Sequence, residues 1–257
     1  MKKLLKIILF VIIGCILFFA LSQVLLAFPS LLFHERASYK NFQVFSDKVI
    51  EKDLNRRLDS ISLLLASTGF YNRNNINIIF CHSVRLAGFL NAISLAPTGA
   101  GFNHFSGNIY LFNSRIEAFR TENAKAKGDE EELIENTYQS FELDKLLTHE
   151  ILHKLHCDTL GVWAYKRKLP SPHWKAEGFA EYYTFARDKR RDGNYDLKKR
   201  VGLYLKYKDQ FPLFYYKSQL LYEFLVDYQK LDFSEIMHDS VTEENTFDQL
   251  SQWYHKN

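Results

Sequence analysis

The hydrophobic positions of this chain form one long run near the N-terminus, interrupted only by Ser22 and Gln23 before Phe28, and shorter, patterned runs after it. No charged residue occurs between Ile7 and Phe33, and three lysines lie among the six residues that precede this run. About 20 apolar helical residues cross the hydrocarbon core of a bilayer. The run exceeds that length, so the sequence predicts one N-terminal transmembrane helix within residues 1–33.

A cleaved secretory signal is the alternative interpretation of this segment. Ala20-Leu21-Ser22 resembles a cleavage site and closes a run of suitable length. Hydrophobic residues continue from Val24 to Phe28, however, and favour a retained anchor. Because the lysines precede the run, the positive-inside rule places the N-terminus in the cytoplasm. Residues 34–257 are then expected on the periplasmic or extracellular side of a single-pass membrane protein.

The remaining residues carry strand-like patterns first and helical patterns afterwards. Apolar, β-branched segments predict strands at Asn41–Phe45, Ile76–Phe80 and Asn108–Phe112. Ser46 is expected to cap a helix with apolar positions at helical spacing, namely Val49, Leu54, Leu58, Ile61, Leu64 and Leu65. The charged segment 121–135 is interpreted as a solvated loop that opens a helix.

From Glu142 onward the pattern is mostly helical. No internal repeat and no linker rich in Gly, Ser or Pro divides residues 34–257, so the sequence predicts one domain there. Strands followed by helices indicate an α+β fold, with a small mixed sheet and a helical C-terminal half.

Composition and charge add limits on function. Of the 257 residues, 47% are hydrophobic and 25% are charged, which is ordinary for a folded protein. Lys and Arg number 33 against 30 Asp and Glu, a net charge of +3 that gives no reason to expect nucleic acid as a partner. The oligomeric state does not follow from the sequence.

Three cysteines are present, of which Cys15 lies in the apolar run. In an oxidising compartment, Cys81 and Cys157 are expected to form a disulfide or to remain as two buried thiols. A third alternative makes Cys157 a stray metal ligand.

The pattern His-Glu-x-x-His occurs once, from His149 to His153, within a segment of helical periodicity. Residues four apart lie on one helix face, so the two imidazoles can converge on one zinc ion. Glu150 projects beside them and is placed to hold a water molecule rather than the ion. The pattern on its own also fits a surface helix with two histidines, so a third ligand is required.

Such a ligand is available in the segment Trp174-Lys175-Ala176-Glu177-Gly178-Phe179-Ala180-Glu181-Tyr182. Glu177 would complete a His₂Glu site and leave a fourth position for water. Glu181 follows one helical turn later and is placed to accept the second N–H of a ligand histidine. The sequence therefore predicts a zinc site formed by His149, His153 and Glu177, with Glu181 behind it.

These two motifs together resemble the gluzincins, and most closely the small membrane or exported members described as peptidase MA-like. The resemblance implies a zincin-like fold, zinc ligands at His149, His153 and Glu177, and a general base at Glu150. It also implies that Glu181 orients a histidine. The implied activity is hydrolysis of peptide bonds in a peptide or protein substrate.

The same resemblance implies roles for a glycine-containing segment and for a late tyrosine. Gly99-Ala100-Gly101-Phe102, before a predicted strand, is similar to the edge strand that aligns a substrate in zincins, although an ordinary strand fits equally well. Tyr215 and Tyr216 begin a late helix, and gluzincins often supply a tyrosine from this region to stabilise the oxyanion. We expect Tyr216 in that role, with an ordinary core or surface aromatic as the alternative.

Two further histidines lie close to the motifs. His156 shares a helix face with His149, so it is expected at the rim of the site or against the substrate. His173 is interpreted as a residue at a helix start, with a place near the cleft as the alternative.

Two competing hypotheses concern the function as a whole. The chain could be a catalytically inactive zincin-fold module that binds a partner at the membrane, although Glu150 would then have no purpose. It could also hold a purely structural zinc, although such sites are usually closed and rich in cysteine.

Overall fold

The computed structural model describes residues 2–50, 52–66, 68–70, 74–94, 100–104, 106–112, 143–169, 173–186, 196–209 and 213–256. The chain divides into two compact units, whereas the sequence predicted one domain after residue 33. Unit 1 comprises Met1–Asp59 and Asn72–Phe119, and unit 2 comprises Ser60–Tyr71 and Arg120–Asn257. The predicted charged loop at 121–135 lies outside the described residues.

Unit 1 contains the apolar helix, a five-stranded sheet and helix α3. Its elements are α1 (Lys2–Ala27), a 3₁₀ turn (Pro29–Leu31), β1 (Glu35–Tyr39), β2 (Phe42–Ser46), the start of α2 (Leu54–Ala66), β3 (Ile76–Cys81), α3 (Val84–Ser94), β4 (Ala100–Phe102) and β5 (Ile109–Phe112). The strand order is β1-β2-β3-β5-β4. The three central strands are parallel and the two edge strands are antiparallel to their neighbours, so the predicted small mixed sheet is confirmed.

The predicted helix after the first strand begins later than expected. Ser46 is the last residue of β2 and pairs with Phe80 of β3, so its backbone is extended and does not cap a helix. Its Oγ accepts a hydrogen bond from the backbone N–H of Lys48 instead. Helix α2 starts at Leu54, and Val49 lies before it with 83% of its surface exposed. Sheet pairing therefore overrides the local capping pattern.

The C-terminal end of α1 belongs to the core of unit 1. Leu26 and Phe33 are buried with residues of the sheet and α3, namely Phe45, Ile79, Cys81, Ala87, Leu90, Ile93, Tyr110 and Phe112. The predicted boundary between residues 33 and 34 falls inside this packing. Within the described residues, α1 is the one helix long and apolar enough to cross a membrane, and a signal sequence would pass the same test.

Unit 2 is helical, as the sequence predicted from Glu142 onward. Its helices are α4 (Leu143–Leu160), α5 (Val162–Lys168), α6 (Trp174–Glu181), α7 (Leu197–Tyr207), α8 (Phe214–Glu223), α9 (Phe233–Ile236) and α10 (Glu243–Lys256). Helices α6 and α8 each continue into a π-helical turn, at Tyr182–Ala186 and Phe224–Tyr228. Together the two units confirm a mixed α+β architecture.

Candidate metal centre

The His-Glu-x-x-His segment lies in the middle of α4, as predicted. Leu147, Ile151, Leu152 and Leu155 are almost completely buried and hold this helix in the core of unit 2. His149 and His153 are also buried, and their Nε2 atoms lie 2.9 Å apart. Packing of α4 by its leucines therefore fixes two imidazoles side by side, away from bulk water.

Glu177 completes the cluster from the neighbouring helix α6. Its Oε2 lies 3.2 Å from Nε2 of His153 and 3.3 Å from Nε2 of His149. The three buried side chains thus direct two nitrogens and one oxygen to a common point. Together they form a group that could hold a metal ion. The third ligand predicted from the sequence is the residue that the fold brings to the histidines.

The spacing of the three donor atoms fits a small metal ion. Bonds of about 2.0–2.2 Å in a tetrahedral site separate neighbouring ligand atoms by about 3.3–3.6 Å. The observed separations of 2.9–3.3 Å are shorter by a few tenths of an ångström. Two imidazole nitrogens and one carboxylate oxygen form a donor set that suits zinc and leaves room for a fourth ligand.

Glu181 lies behind the cluster, one turn beyond Glu177 on α6. Its Oε1 is 3.0 Å from Nδ1 of His149, which is the ring nitrogen opposite the cluster. Burial alone lowers the pKa of His149, but Glu177 and Glu181 outweigh it and hold that pKa well above its usual value. The predicted position of Glu181 beside a ligand histidine is therefore observed.

The charge state of Glu177 is set by the same neighbours. Burial raises the pKa of this carboxyl, but His153 and His149 more than compensate and hold the pKa far below its usual range. Glu177 is consequently ionised at neutral pH, as a metal ligand must be.

Tyr165 is a residue of this site that the sequence did not single out. Its hydroxyl lies 3.4 Å from Nδ1 of His153, and the side chain is buried. Gly161, with a φ of 79°, separates α4 from α5 and lets the chain reverse so that Tyr165 returns to the histidine. Each histidine of the cluster thus has a buried polar group near its second ring nitrogen. Only the spacing of twelve residues after His153 marks this tyrosine, and that spacing carries no known pattern.

Glu150 is buried on α4 beside the cluster but is not one of its three converging residues. Its charge contributes to a raised pKa at Tyr165, after the effects of burial, Glu177 and Cys157. The glutamate of the motif therefore lies within electrostatic reach of Tyr165, and its role as general base stays a prediction.

Tyr216 is the residue for which the sequence predicted an oxyanion-stabilising role. It lies on α8, is almost completely buried, and its hydroxyl donates to the backbone carbonyl of Arg200 at 3.2 Å. The guanidinium of Arg200 also lies over the tyrosine ring, 5.1 Å from its centre. The hydroxyl is thus engaged with the backbone of α7, and the expected oxyanion role stays a prediction. The core aromatic that the sequence left as the alternative is what the structure contains.

The two additional histidines belong to the scaffold. His156 is completely buried and packs against the rings of Tyr165, Phe179 and Phe233, so the expected rim position is wrong. Burial, assisted by His153 and His173, lowers the pKa of His156 to about 3. His173 caps the start of α6 by accepting a hydrogen bond from the backbone N–H of Lys175, as the sequence predicted.

The structure decides between the alternatives that the sequence left open for Cys81 and Cys157. Cys81 and Cys157 are buried free thiols, so the disulfide is not formed. Burial, with smaller effects of nearby charges, raises the pKa of Cys81 to about 12 and that of Cys157 to about 11. A protonated thiol is a poor metal ligand, and neither cysteine is among the three residues that converge.

The segment compared with a substrate-aligning edge strand forms β4, Ala100–Phe102, which is paired with β5 on one side. It is an edge strand within unit 1, and its use in substrate binding stays a prediction. Gly99 lies outside the described residues.

Comparison of this chain with protein-family models, curated proteins and solved structures finds no match. The interpretation of the chain therefore rests on the geometry of the cluster.

Proposed function

We propose that this protein is a zinc-dependent peptidase of the gluzincin type, anchored to a membrane by α1. One observation carries the proposal. Two histidines and one glutamate converge with separations of 2.9–3.3 Å, and a second glutamate, Glu150, follows His149 on α4 and is buried without being one of the three. A purely structural site has no use for an additional buried carboxylate at this place.

The residues of the cluster divide into those that hold the ion and those that orient them. His149, His153 and Glu177 would bind zinc, which when bound supplies Lewis acidity and lowers the pKa of water. Glu181 and Tyr165 would fix the two imidazole rings from behind. Imidazole rings that are already fixed lose little further conformational freedom when their Nε2 atoms bind the ion.

Glu150 would carry the proton transfers. One of its carboxylate oxygens accepts a proton from the attacking water and returns it to the nitrogen of the leaving amine. Because α4 holds Glu150 next to His149, this carboxylate is positioned before the substrate arrives. The substrate would be a peptide or a protein, bound in extended form with its scissile carbonyl towards the cluster.

Topology forms the second part of the proposal. The lysines that precede the apolar run would remain in the cytoplasm, with residues 34–257 on the periplasmic or extracellular side. A tag at the C-terminus should then be digested by protease added to cells with a permeabilised outer envelope. Complete protection of that tag, under conditions in which a cytoplasmic control is protected, would reverse the topology.

The chemistry is tested with the full-length protein purified in detergent. We expect about one zinc per chain and cleavage of an unfolded protein substrate that a chelator abolishes. Glu150→Gln should keep the zinc and lose about 100-fold to 10,000-fold in kcat. Glu177→Ala should lose the zinc, while Glu244→Gln, at an exposed glutamate of α10, should change neither property.

The results distinguish the competing functions. Cleavage that persists in zinc-loaded Glu150→Gln would exclude Glu150 as the base. Zinc binding without chelator-sensitive cleavage by the wild type would favour a non-catalytic binding module, and unchanged zinc content of Glu177→Ala would exclude that ligand.

A further inference from the structure

The last turns of α1 are part of the folded core of unit 1 rather than a tether. Leu26 has none of its surface exposed, and Ser22, one turn earlier, is also buried. Leu25 and Leu32 pack against the same core from partly exposed positions. The apolar helix therefore enters the protein without a flexible linker.

A buried polar cap fixes the end of this helix. The carbonyl of Leu26 accepts hydrogen bonds from Nδ2 of Asn108 at 2.7 Å and from the hydroxyl of Tyr110 at 2.5 Å. Asn108 is itself fully buried and accepts a hydrogen bond from Asn77. The last four carbonyls of a helix have no partner within it, so these side chains satisfy one of them from the sheet. The direction of α1 is thereby set by β5 and by the residue that precedes it.

The exposed length of α1 is shorter than a bilayer requires. Every residue from Ile7 to Leu21 is exposed, and these fifteen residues are predominantly apolar. At about 1.5 Å per residue they span about 22 Å, whereas the hydrocarbon core is about 30 Å thick. The missing length of about 8 Å corresponds to about five residues, and the next five, Ser22 to Leu26, include Ser22 and Leu26, which are buried in the protein.

The outer face of α3, which packs beside the end of α1, is apolar. Its exposed residues recur at helical spacing and are Val84, Arg85, Gly88, Phe89 and Ala92. Val84 has 70% of its surface exposed and Phe89 has 41%. Phe28 and Leu31, in the turn after α1, are also exposed large apolar residues. A helix face with one charge among five exposed positions is unusual for a surface in contact with water.

We propose that unit 1 is seated in the bilayer surface, with α3 and the turn after α1 at the boundary between lipid headgroups and acyl chains. This proposal rests on the proposed anchor, since a bilayer that covers about 30 Å of α1 must also reach the residues packed on its last turns. Phe28, Leu31, Val84 and Phe89 enter the apolar zone. Arg85 extends its guanidinium towards lipid phosphates while its stem stays in the apolar layer.

The test uses nitroxide labels on the full-length protein reconstituted in lipid vesicles. In a Cys15→Ser background, a cysteine is introduced at Phe89, at Phe18 in the middle of α1, or at Asn55. Cys81 and Cys157 are buried with raised pKa values, so they do not take up label in the native protein. Asn55 is the matched control, because it is exposed on α2 in the same unit beside the charged Arg56.

The readout is the accessibility of each label to oxygen relative to a water-soluble nickel chelate. We expect the ratio at position 89 to be several-fold higher than at position 55 and to approach the ratio at position 18. A lipid value at 18 with an aqueous value at 89 overturns the seating and leaves the anchor intact. Aqueous values at both positions overturn the anchor as well.

A label at position 89 that neither reagent reaches would mean that protein covers α3, and this also overturns the proposal. The Phe89→Cys variant must keep the circular dichroism spectrum of its parent. Val84→Cys, at a more exposed position of the same face, provides a second site at which the same high ratio is expected.

Discussion

At the scale of single residues, the candidate metal centre includes a polar group at the outer ring nitrogen of each histidine. His149 has a carboxylate at its second ring nitrogen, and His153 has a tyrosine hydroxyl there. If Nε2 of each ring faces the metal, the proton of the ring lies on Nδ1, which is 3.4 Å from the hydroxyl of Tyr165 in His153 and 3.0 Å from the carboxylate of Glu181 in His149. Outer partners of this kind fix the tautomer and the orientation of a ligand histidine.

The first prediction concerns Tyr165, which acts through His153 as a positioning residue. Tyr165→Phe removes the acceptor at Nδ1 and should weaken zinc binding by about 10-fold to 100-fold. Competition with a fluorescent zinc chelator measures the affinity. Tyr254→Phe, at a partly exposed tyrosine of α10, is the control and should leave it unchanged.

A purely structural role for Tyr165 would have a different result. It would lower the thermal stability of the metal-free protein and leave the zinc affinity of the folded state unaltered. That outcome would contradict the positioning role.

The second prediction concerns the buried thiols. Three free thiols should be titrated in denaturant without a reductant, and a disulfide between Cys81 and Cys157 would reduce this number to one. In the folded protein, both buried thiols should resist alkylation at neutral pH. Their pKa values rise on folding from 9.0 to about 12 and about 11, so the thiols favour the folded state. This contribution is complete below about pH 9 and disappears as the pH rises past 11–12.

At the scale of elements, the site depends on how closely α6 approaches α8. A Cβ atom placed on Gly178 would lie 2.5 Å from the carbonyl oxygen of Ser218 and 2.8 Å from Cβ of Tyr222. The glycine that follows Glu177 is therefore required by packing against the backbone of α8. The sequence pattern Glu-Gly contains both a ligand and the contact that holds its helix in place.

The third prediction tests this contact. Gly178→Ala should destabilise unit 2 by about 1–3 kcal/mol, because neither helix can move without loss of packing. It should also weaken zinc binding, since α6 carries Glu177. Chemical denaturation followed by circular dichroism measures the free energy of unfolding.

Gly202→Ala on α7 is the matched control. Its new Cβ would meet mainly the hydroxyl of Tyr254, at 3.1 Å, on a side chain that can move. Alanine is also favoured over glycine in a helix. A destabilisation equal to that of Gly178→Ala would contradict the proposed importance of the α6–α8 approach.

At the scale of the whole molecule, the apolar N-terminal helix and unit 1 form one folded body. A soluble fragment that begins at residue 34 would lack Leu26 and Phe33. It would also leave the buried side chains of Asn108 and Tyr110 without the carbonyl that they bind. Biochemical work on unit 1 therefore requires a chain that includes the end of α1.

The fourth prediction compares two leucines of the same helix. Leu26→Ala should destabilise unit 1 by about 2–5 kcal/mol, because it opens a cavity in a packed core. Leu21→Ala, five residues earlier and largely exposed, should change stability little. Limited proteolysis of the detergent-solubilised full-length protein in increasing denaturant reports the difference. Equal behaviour of the two variants would show that the end of α1 is not part of the core.

The elements that could be predicted from the sequence are those whose hydrophobic pattern is local and strong. β3 is a continuous apolar, β-branched segment, and its prediction agrees with the structure. β1 was not predicted because Glu35-Arg36-Ala37-Ser38-Tyr39 is a half-exposed edge strand with few apolar residues. α3 was not predicted because its apolar residues occur on both its buried and its exposed faces, which removes the helical period.

The sequence alone determined the parts of this protein that depend on neighbours one helical turn away. These are the pairing of His149 with His153, the succession of Glu177 and Glu181, and the long uncharged run of α1. Tertiary structure decided which groups separated along the chain would meet. It brought Tyr165 to His153, engaged Tyr216 with α7, and buried Leu26 against Tyr110 of the sheet. Helical periodicity fixes contacts within a turn, whereas contacts over longer separations depend on which buried surfaces pack together.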